Sequence, residues 1–282
     1  MQPLENGEID LYGDANDYFT SYQIENKFER KITPYDLITH TTGLDDHLLG
    51  AQSYDFLNPE TLAPHVAQQF PDQIREPGEV MLYSSYGTAL IAVMIEDVTG
   101  MLFSDYVQQY IFDPIGMQSS YFFVQDIDEE ILVSNYLILN DKHIKRKTIN
   151  GIYIYPTGST MTTAEDMAQY MKIYTSDGFV NGNQILKPTT IALMSESIFG
   201  PFANQFIGNS IGFFNENTHN QKMYQHTGGI GGNVSAMCIY PESKLSIFFQ
   251  GAHVSFIQIF ILLQEINFRC FCLKARRIMT FS

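Results

Sequence analysis

Residues 76–85 read Glu-Pro-Gly-Glu-Val-Met-Leu-Tyr-Ser-Ser, and this stretch decides how the rest of the chain is interpreted. Its Pro-Gly pair predicts a tight turn. From residue 85 onward apolar residues recur at helical spacing, and Gly100 ends the pattern. The sequence therefore predicts a helix over residues 85–99 with Tyr83 and Ser85 at its N-terminus, where hydroxyl groups meet the positive end of the helix dipole.

Tyr83 is the candidate acid or base of this stretch. A phenol beside the positive end of a helix is expected to lose its proton more easily and to act as a base. A Tyr-Ser-Ser sequence before a helix also serves as a simple cap. The residues alone leave both interpretations open.

A second stretch, His226-Thr-Gly-Gly-Ile-Gly-Gly232, leads into a sheet pattern. Its glycines allow a ligand to approach the backbone, and a free backbone N–H at a strand edge can stabilise an oxyanion. The same residues also suit a plain turn. Two β-rich runs, 234–240 and 245–250, follow with a four-residue loop between them and predict a hairpin. Because no helix follows these glycines, a dinucleotide-binding loop is not predicted.

The composition predicts a globular chain. Its 282 residues are 45% hydrophobic and carry 16 Lys and Arg against 31 Asp and Glu, a net charge of −15. Such an acidic balance argues against nucleic acid or an anionic membrane surface as a partner. The seven His residues have no metal-ligand spacing, and the chain has no phosphate-binding loop, so neither a metal nor a cofactor is expected.

The layout predicts one domain over residues 1–282. Within it we expect a helix-rich region over 1–220, and a sheet hairpin with a closing helix over 221–282. Thr33 with Asp36 and Thr163 with Asp166 predict capping boxes, Ser104 predicts a further helix cap, and residues 254–268 suit the closing helix. Residues 269–282 concentrate basic side chains and two of the three Cys. This tail is either a solvated basic end or a segment foreign to the fold. The three Cys form no disulfide framework, and no signal peptide or bilayer-spanning apolar run is recognised.

Several motifs in fixed order carry a resemblance to a known family. They are Leu37-Ile-Thr-His-Thr-Thr-Gly-Leu44, Leu82-Tyr-Ser-Ser85, Glu96-Asp-Val-Thr-Gly100, Gly158-Ser-Thr-Met-Thr-Thr-Ala-Glu-Asp166 and His226-Thr-Gly228. Together they resemble the serine β-lactamase and penicillin-binding-protein-like family, in its branch of β-lactamase-related esterases, D-alanyl carboxypeptidases and D-aminopeptidases. The resemblance runs from about residue 4 to about residue 251.

The resemblance implies an α/β (α+β) fold of the β-lactamase/transpeptidase type, an antiparallel sheet flanked by helices plus a helix-rich region. It implies acyl transfer to a serine and then hydrolysis of an ester, a β-lactam or a D-amino acid peptide. By motif position Tyr83 is the general acid/base, and Ser85 replaces an Asn that contacts substrate amides. His226 and Thr227 line the site together with Gly228, and the N–H of Gly229 points at the oxyanion.

One departure from the family pattern is serious. The family's nucleophile and its base form a Ser-x-x-Lys motif, but none of the ten Lys residues here has Ser or Thr three positions before it. By motif order the nucleophile falls upstream of Met1. We therefore expect an N-terminally truncated chain that lacks the nucleophile helix and the first strands, is poorly stable alone, and does not acylate.

The sequence leaves an alternative function open. The same scaffold could be a non-catalytic protein that binds a cell-wall peptide or a partner. A metallohydrolase is a third hypothesis that the His spacing does not support. Substrate, oligomeric state and localisation are not determined, although relatives of this family are mostly exported or membrane-attached.

Overall fold

The structure is a computed structural model of the chain. It describes residues 1–46, 52–53, 60–140, 142–145, 151–198, 208–218, 221–230 and 232–251. The expected closing helix over 254–268 and the basic tail over 269–282 lie outside the described residues. All statements about the molecule below refer to the described part.

The described residues contain eight α-helices, mostly short, all of which lie before residue 195. They are α1 (Gln2–Glu5), α2 (Pro34–Thr39), α3 (Ala63–Gln68), α4 (Ser85–Thr99), α5 (Phe103–Val107), α6 (Asp113–Ile115), α7 (Ala164–Thr175) and α8 (Pro188–Met194). A π-helical turn over Gln108–Phe112 joins α5 to α6.

Eleven strands form one main sheet and three two-stranded ribbons. They are β1 (Gln52–Ser53), β2 (Tyr136–Leu139), β3 (Lys142–Lys145), β4 (Gly151–Ile152), β5 (Phe179–Val180), β6 (Asn183–Gln184), β7 (Gly208–Ser210), β8 (Phe213–Thr218), β9 (Gln221–Ile230), β10 (Asn233–Tyr240) and β11 (Leu245–Gly251). The main sheet is antiparallel, with five strands in the order β11-β10-β9-β8-β7.

Helix α4 forms the centre of the core. Ser84 accepts a hydrogen bond from Gly87 N–H as its N-cap, and Gly100, in the left-handed conformation, ends it. Its side chains Ala89, Leu90 and Val93 are completely buried. With 15 residues the helix is about 22 Å long, and its buried side chains extend from Ser85 at one end to Glu96 near the other.

Glu96 connects α4 to the two neighbouring helices. Its carboxylate accepts Leu62 N–H at 2.8 Å, where α3 begins, and Phe103 N–H at 3.0 Å, where α5 begins. Both amides belong to helix N-termini and have no partner within their own helices. Burial raises the pKa of Glu96. One buried carboxylate therefore caps α3 and α5.

Several predicted element boundaries are confirmed. Thr33 and Asp36 form a complete capping box at α2, and Thr163 caps α7. The predicted hairpin is present as β10 and β11, joined by a turn at residues 241–244.

Two boundaries differ from the prediction. The helix expected to be capped by Ser104 starts two residues earlier, at Phe103, because Glu96 supplies the cap that a local serine would otherwise supply. The main sheet begins at Gly208 rather than at residue 221, since β7 and β8 pair with it.

The search for membrane-spanning helices covers the described part only. No single helix there is both long enough and apolar enough to cross a bilayer. The pair Ser85–Thr99 and Phe103–Ile115, bent by 83° at their junction, reaches the threshold only when both are counted together. The first of them is the core helix α4.

Candidate active site

The Leu37–Leu44 motif and the stretch 76–85 are joined through backbone hydrogen bonds. Leu82 N–H donates to His40 O at 2.8 Å, and Gly78 N–H donates to Thr41 O at 2.7 Å. Gly43 has φ +72°, and a Cβ placed on it would lie 2.0 Å from the carbonyl oxygen of Arg75. This close approach requires glycine. The two stretches, about 40 residues apart in sequence, thus form one rigid wall.

His40 lies where α2 ends. Its backbone is left-handed, with φ 58°, so its ring turns away from the helix toward Tyr83. The backbone N–H of Ser84 donates to His40 Nδ1 at 3.3 Å, and the centroids of the His40 and Tyr83 rings are 4.4 Å apart. Because Nδ1 accepts this bond, the ring is neutral with its proton on Nε2.

His226 closes the other side of Tyr83. It lies on β9, with its ring centroid 6.0 Å from that of Tyr83. Phe214, on β8, is 6.3 Å from the Tyr83 ring and 5.9 Å from the His226 ring. The structure therefore brings Tyr83 and His226 together, although 143 positions separate them in the sequence.

Burial sets the protonation states of this aromatic group. Burial, and to a lesser extent the neighbouring His226, lower the pKa of His40 from 6.5 to about 4. Burial also lowers the pKa of His226. Both imidazoles are thus held neutral near pH 7.

The expectation that Tyr83 loses its proton easily is wrong for these surroundings. Burial raises the pKa of Tyr83, and the carboxylate of Asp46 raises it further. Among the charged groups that act on its hydroxyl, none is a cation. Desolvation therefore outweighs the helix dipole, and Tyr83 is a neutral phenol that can donate a hydrogen bond.

Ser85 is bonded to Asp46, so its hydroxyl group is not free for the substrate contact expected of it. Its N–H donates to Asp46 Oδ1 at 2.9 Å, and its hydroxyl donates to Asp46 Oδ2 at 3.1 Å. Sequence reasoning missed Asp46. The available signal was the Asp45-Asp46 pair directly after the Leu37–Leu44 motif, since an acidic side chain suits an unpaired N–H in the first turn of a helix.

The outer edge of β9 faces the site. Strand β8 pairs with β9 only along residues 221–225, whereas β10 pairs with it as far as Ile230. Thr227, Gly228 and Gly229 are exposed along the remaining edge. Within the described strands nothing pairs with that edge, so its backbone groups are accessible to a ligand. Gly228 also lies tightly against β10, because a Cβ there would be 2.8 Å from Ser235 Oγ.

Apart from this group, we considered a metal site and a cavity elsewhere in the described part. In the part of the chain that the structure describes, no three His, Cys, Asp or Glu side chains are placed to hold a metal ion. A cavity of about 460 Å³ lies at the opposite end of α4, and Val98, Thr99 and Tyr106 are among its lining residues. None of Tyr83, Ser85 and His226 lines it.

A comparison with protein families decides the relationship. The family model described as Beta-lactamase matches residues 1–251 of the 282. The chain belongs to the beta-lactamase family. The family resemblance of the motifs is therefore confirmed.

Known relatives of this beta-lactamase family chain are distant in sequence. It is 22% identical to Beta-lactamase-like protein 2 of Dictyostelium discoideum, over 72% of the chain and 39% of the relative. It is also 22% identical to penicillin-binding protein 4* of Bacillus subtilis (strain 168), over 77% of the chain and 51% of the relative. The chain thus spans about half the length, or less, of these two relatives.

Solved structures agree on the fold. The D-stereospecific amidohydrolase from Streptomyces sp. matches with a TM-score of 0.73 and 19% identity, over 94% of this chain and 82% of that one. The predicted β-lactamase/transpeptidase-like fold, with an antiparallel sheet and helices, is confirmed. Within that fold Tyr83 lies beside His226 on β9, while Ser85 is bound to Asp46.

Proposed function

We propose that the cleft between Tyr83 and the edge of β9 binds an amide or ester ligand of the kind that β-lactamase-related serine hydrolases process. The observation that carries this proposal is the placement of the neutral Tyr83 ring beside His226 on β9, the strand whose edge is exposed at residues 227–229. A ligand carbonyl can accept a hydrogen bond from the Tyr83 hydroxyl group, and a ligand amide can pair with the exposed backbone edge of β9.

The second part of the proposal is that this chain alone does not form an acyl-enzyme. None of its ten Lys residues follows a Ser or Thr at the spacing of the Ser-x-x-Lys motif. In serine hydrolases, loss of a member of the nucleophile set lowers the rate by about 10⁴ to 10⁶. In the proposed site the neutral Tyr83 donates a hydrogen bond to the ligand, and the N–H of Gly229 contacts the ligand oxygen.

The test of binding uses a D-amino acid amide and an ester of similar size, titrated into the purified chain by calorimetry or NMR. We expect saturable binding that Thr227→Phe abolishes, because the larger side chain fills the edge of β9. Gln250→Phe is the matched control, since Gln250 is an exposed position on β11, the strand at the other side of β10 from the open edge of β9. Equal binding by both variants would place the ligand elsewhere.

The test of acylation uses a fluorescent penicillin and a fluorophosphonate probe on the same sample. We expect no covalent label that survives denaturation. A stoichiometric label, located by mass spectrometry to one serine, would overturn the proposed inactivity and identify a nucleophile outside the Ser-x-x-Lys pattern.

A non-catalytic binding protein on the same scaffold is the alternative function. Its supporting observation is the engagement of Ser85 by Asp46, which occupies a group assigned to substrate contact. Saturable binding of a cell-wall peptide without any turnover over a day would favour this alternative.

A further inference from the structure

The exposed apolar side chains of the molecule are unevenly distributed. Ten large apolar side chains are exposed in the described part, and four of them lie between residues 131 and 144. These four are Ile131 (65%), Val133 (65%), Leu139 (54%) and Ile144 (45%). A concentration of exposed apolar side chains on a protein surface marks an interaction site for a protein, a membrane or an apolar ligand.

The same segment is basic in a strongly acidic chain. Residues 142–147 read Lys-His-Ile-Lys-Arg-Lys. Residues 131–147 contain four Lys and Arg and one Asp, a net charge of +3. The remainder therefore carries 12 Lys and Arg against 30 Asp and Glu, a net charge of −18. Apart from the basic residues 269–282, this segment is where positive charge is concentrated in an otherwise acidic chain.

The exposed apolar side chains and the positive charge meet on one β-ribbon. Strands β2 and β3 form an antiparallel ribbon separate from the main sheet. Leu139 pairs with Lys142 in this ribbon, and all four residues of β3 are exposed. An aliphatic side chain and an ammonium group thus extend side by side from the end of the ribbon.

The base of the ribbon rests on the strand that carries the candidate site. Asn135 is buried, and a Cβ placed on Gly232, at the turn between β9 and β10, would lie 3.8 Å from Asn135 Cβ. The same Cβ would lie 3.6 Å from the carbonyl oxygen of Tyr136. The ribbon is therefore anchored to the sheet next to the open edge of β9.

We propose that the β2–β3 ribbon docks on the surface of an anionic phospholipid bilayer. Its aliphatic side chains enter the interfacial layer while the Lys side chains contact lipid phosphates. Nucleic acid explains the charge but gives no gain from burying Leu139 and Ile144. An acidic protein surface explains it no better, since the same aliphatic groups would meet charged side chains.

The negative charge of the whole chain does not oppose this docking at close range. Charges more than about 8 Å apart are largely screened at physiological ionic strength. The total charge of −15 is an average over the chain, and the β2–β3 ribbon has the opposite sign, so the total does not exclude contact of the ribbon with an anionic membrane. Docking in this way would hold the β9 edge close to the bilayer surface.

The charge test measures binding of the full chain to vesicles of phosphatidylglycerol and phosphatidylcholine, compared with phosphatidylcholine alone. We expect binding to the anionic vesicles that falls with added salt. Lys142→Gln with Lys145→Gln should weaken it by about tenfold or more. The matched control, Lys172→Gln with Lys244→Gln, removes the same charge from two exposed positions elsewhere and should leave binding unchanged.

The apolar test replaces Leu139 and Ile144 with Ser, and the exposed Val80 and Phe179 with Ser as its control. All four positions are exposed, so circular dichroism should show an unchanged fold. We expect only the first pair to weaken vesicle binding. No binding to anionic vesicles, equal binding to neutral vesicles, or stronger ribbon-dependent binding to DNA than to vesicles would overturn the proposal.

Discussion

His40 shows how one residue can serve position and protonation together. Its left-handed backbone directs the ring onto Tyr83, and its Nδ1 accepts the Ser84 N–H that precedes α4. Protonation of Nδ1 would break this hydrogen bond and place a charge beside His226. The wall that supports Tyr83 is thus stable only while His40 is neutral.

The pH dependence of stability follows from this state. The pKa of His40 is about 4 in the folded chain against 6.5 in the unfolded chain. Between these values the unfolded chain binds more protons, so the free energy of unfolding falls as the pH drops from 6.5 toward 4. The contribution is complete above pH 6.5 and amounts to on the order of 2 to 3 kcal/mol.

The measurement is urea unfolding between pH 4.5 and pH 7 for the chain and for His40→Asn. Asn tolerates the left-handed backbone and does not titrate. We expect a shallower pH dependence in the variant; the remaining slope combines His226, whose lowered pKa acts in the same sense, with Glu96, whose raised pKa acts in the opposite sense. An unchanged slope would contradict the assignment.

At the scale of elements, Gly43 fixes the two motif stretches to each other. A Cβ there would meet the Arg75 carbonyl oxygen at 2.0 Å, a backbone atom that cannot move without breaking the wall. We expect Gly43→Ala to lower the free energy of unfolding by more than about 3 kcal/mol.

The matched control for Gly43 is Gly7→Ala. Gly7 has nearly the same backbone, φ +76° against +72°, but no atom within 4 Å of a new Cβ. It should cost only about 1 kcal/mol, the penalty of the left-handed conformation alone. Equal losses in the two variants, measured by chemical denaturation, would show that the close approach has no energetic weight.

Glu96 gives a second prediction at this scale. Glu96→Ala removes the acceptor of two helix N-termini and should lower the free energy of unfolding by about 2 to 3 kcal/mol. Glu96→Gln should cost less, since its single carbonyl oxygen still accepts one of the two amides. Glu79→Ala, at an exposed position, is the control and should be near neutral. Thermal or urea unfolding of the three variants provides the comparison.

The helices and the hairpin were predictable because their signals are local. The spacing of apolar residues in α4, the capping box at Thr33 and the turn between β10 and β11 each lie within a few residues. The start of α5 was not predictable, because its cap comes from Glu96 on another helix. A cap supplied through tertiary contact leaves no pattern in the capped segment.

The candidate site was predictable only in part, for the same reason. Tyr83 and His226 were found from motifs, and the structure places them side by side. The Asp46 contact to Ser85 and the direction of the Tyr83 pKa depend on burial and on a residue 37 or more positions away. Motif position identifies which residues meet but not which electrostatic effect prevails.

At the scale of the whole molecule, 31 acidic side chains face only 16 basic ones, which leaves a net charge of −15. Among the described Lys and Arg side chains, two form ion pairs, Lys27 with Asp72 and Arg30 with the buried Asp36, and the second is closed by two parallel hydrogen bonds. Repulsion among the excess carboxylates destabilises the compact state, and salt screens it.

We therefore expect NaCl, raised from about 20 to about 200 mM, to shift the urea midpoint upward and then to have little further effect. The saturation separates screening from the general stabilising action of salts at high concentration. A midpoint that is constant or falls over this range would show that the acidic residues lie too far apart to repel one another.

The N-terminal segment closes against residues far away in the chain. Gln2 Nε2 donates to Ile185 O at 3.2 Å, and Lys187 N–H donates to Glu5 Oε1 at 2.7 Å, across 183 and 182 positions. At the usual rate of translation, roughly 10 to 40 s pass between the synthesis of the two partners. Throughout that interval residues 2–5 are without the partners that they contact in the folded chain, so they are accessible to a chaperone during synthesis.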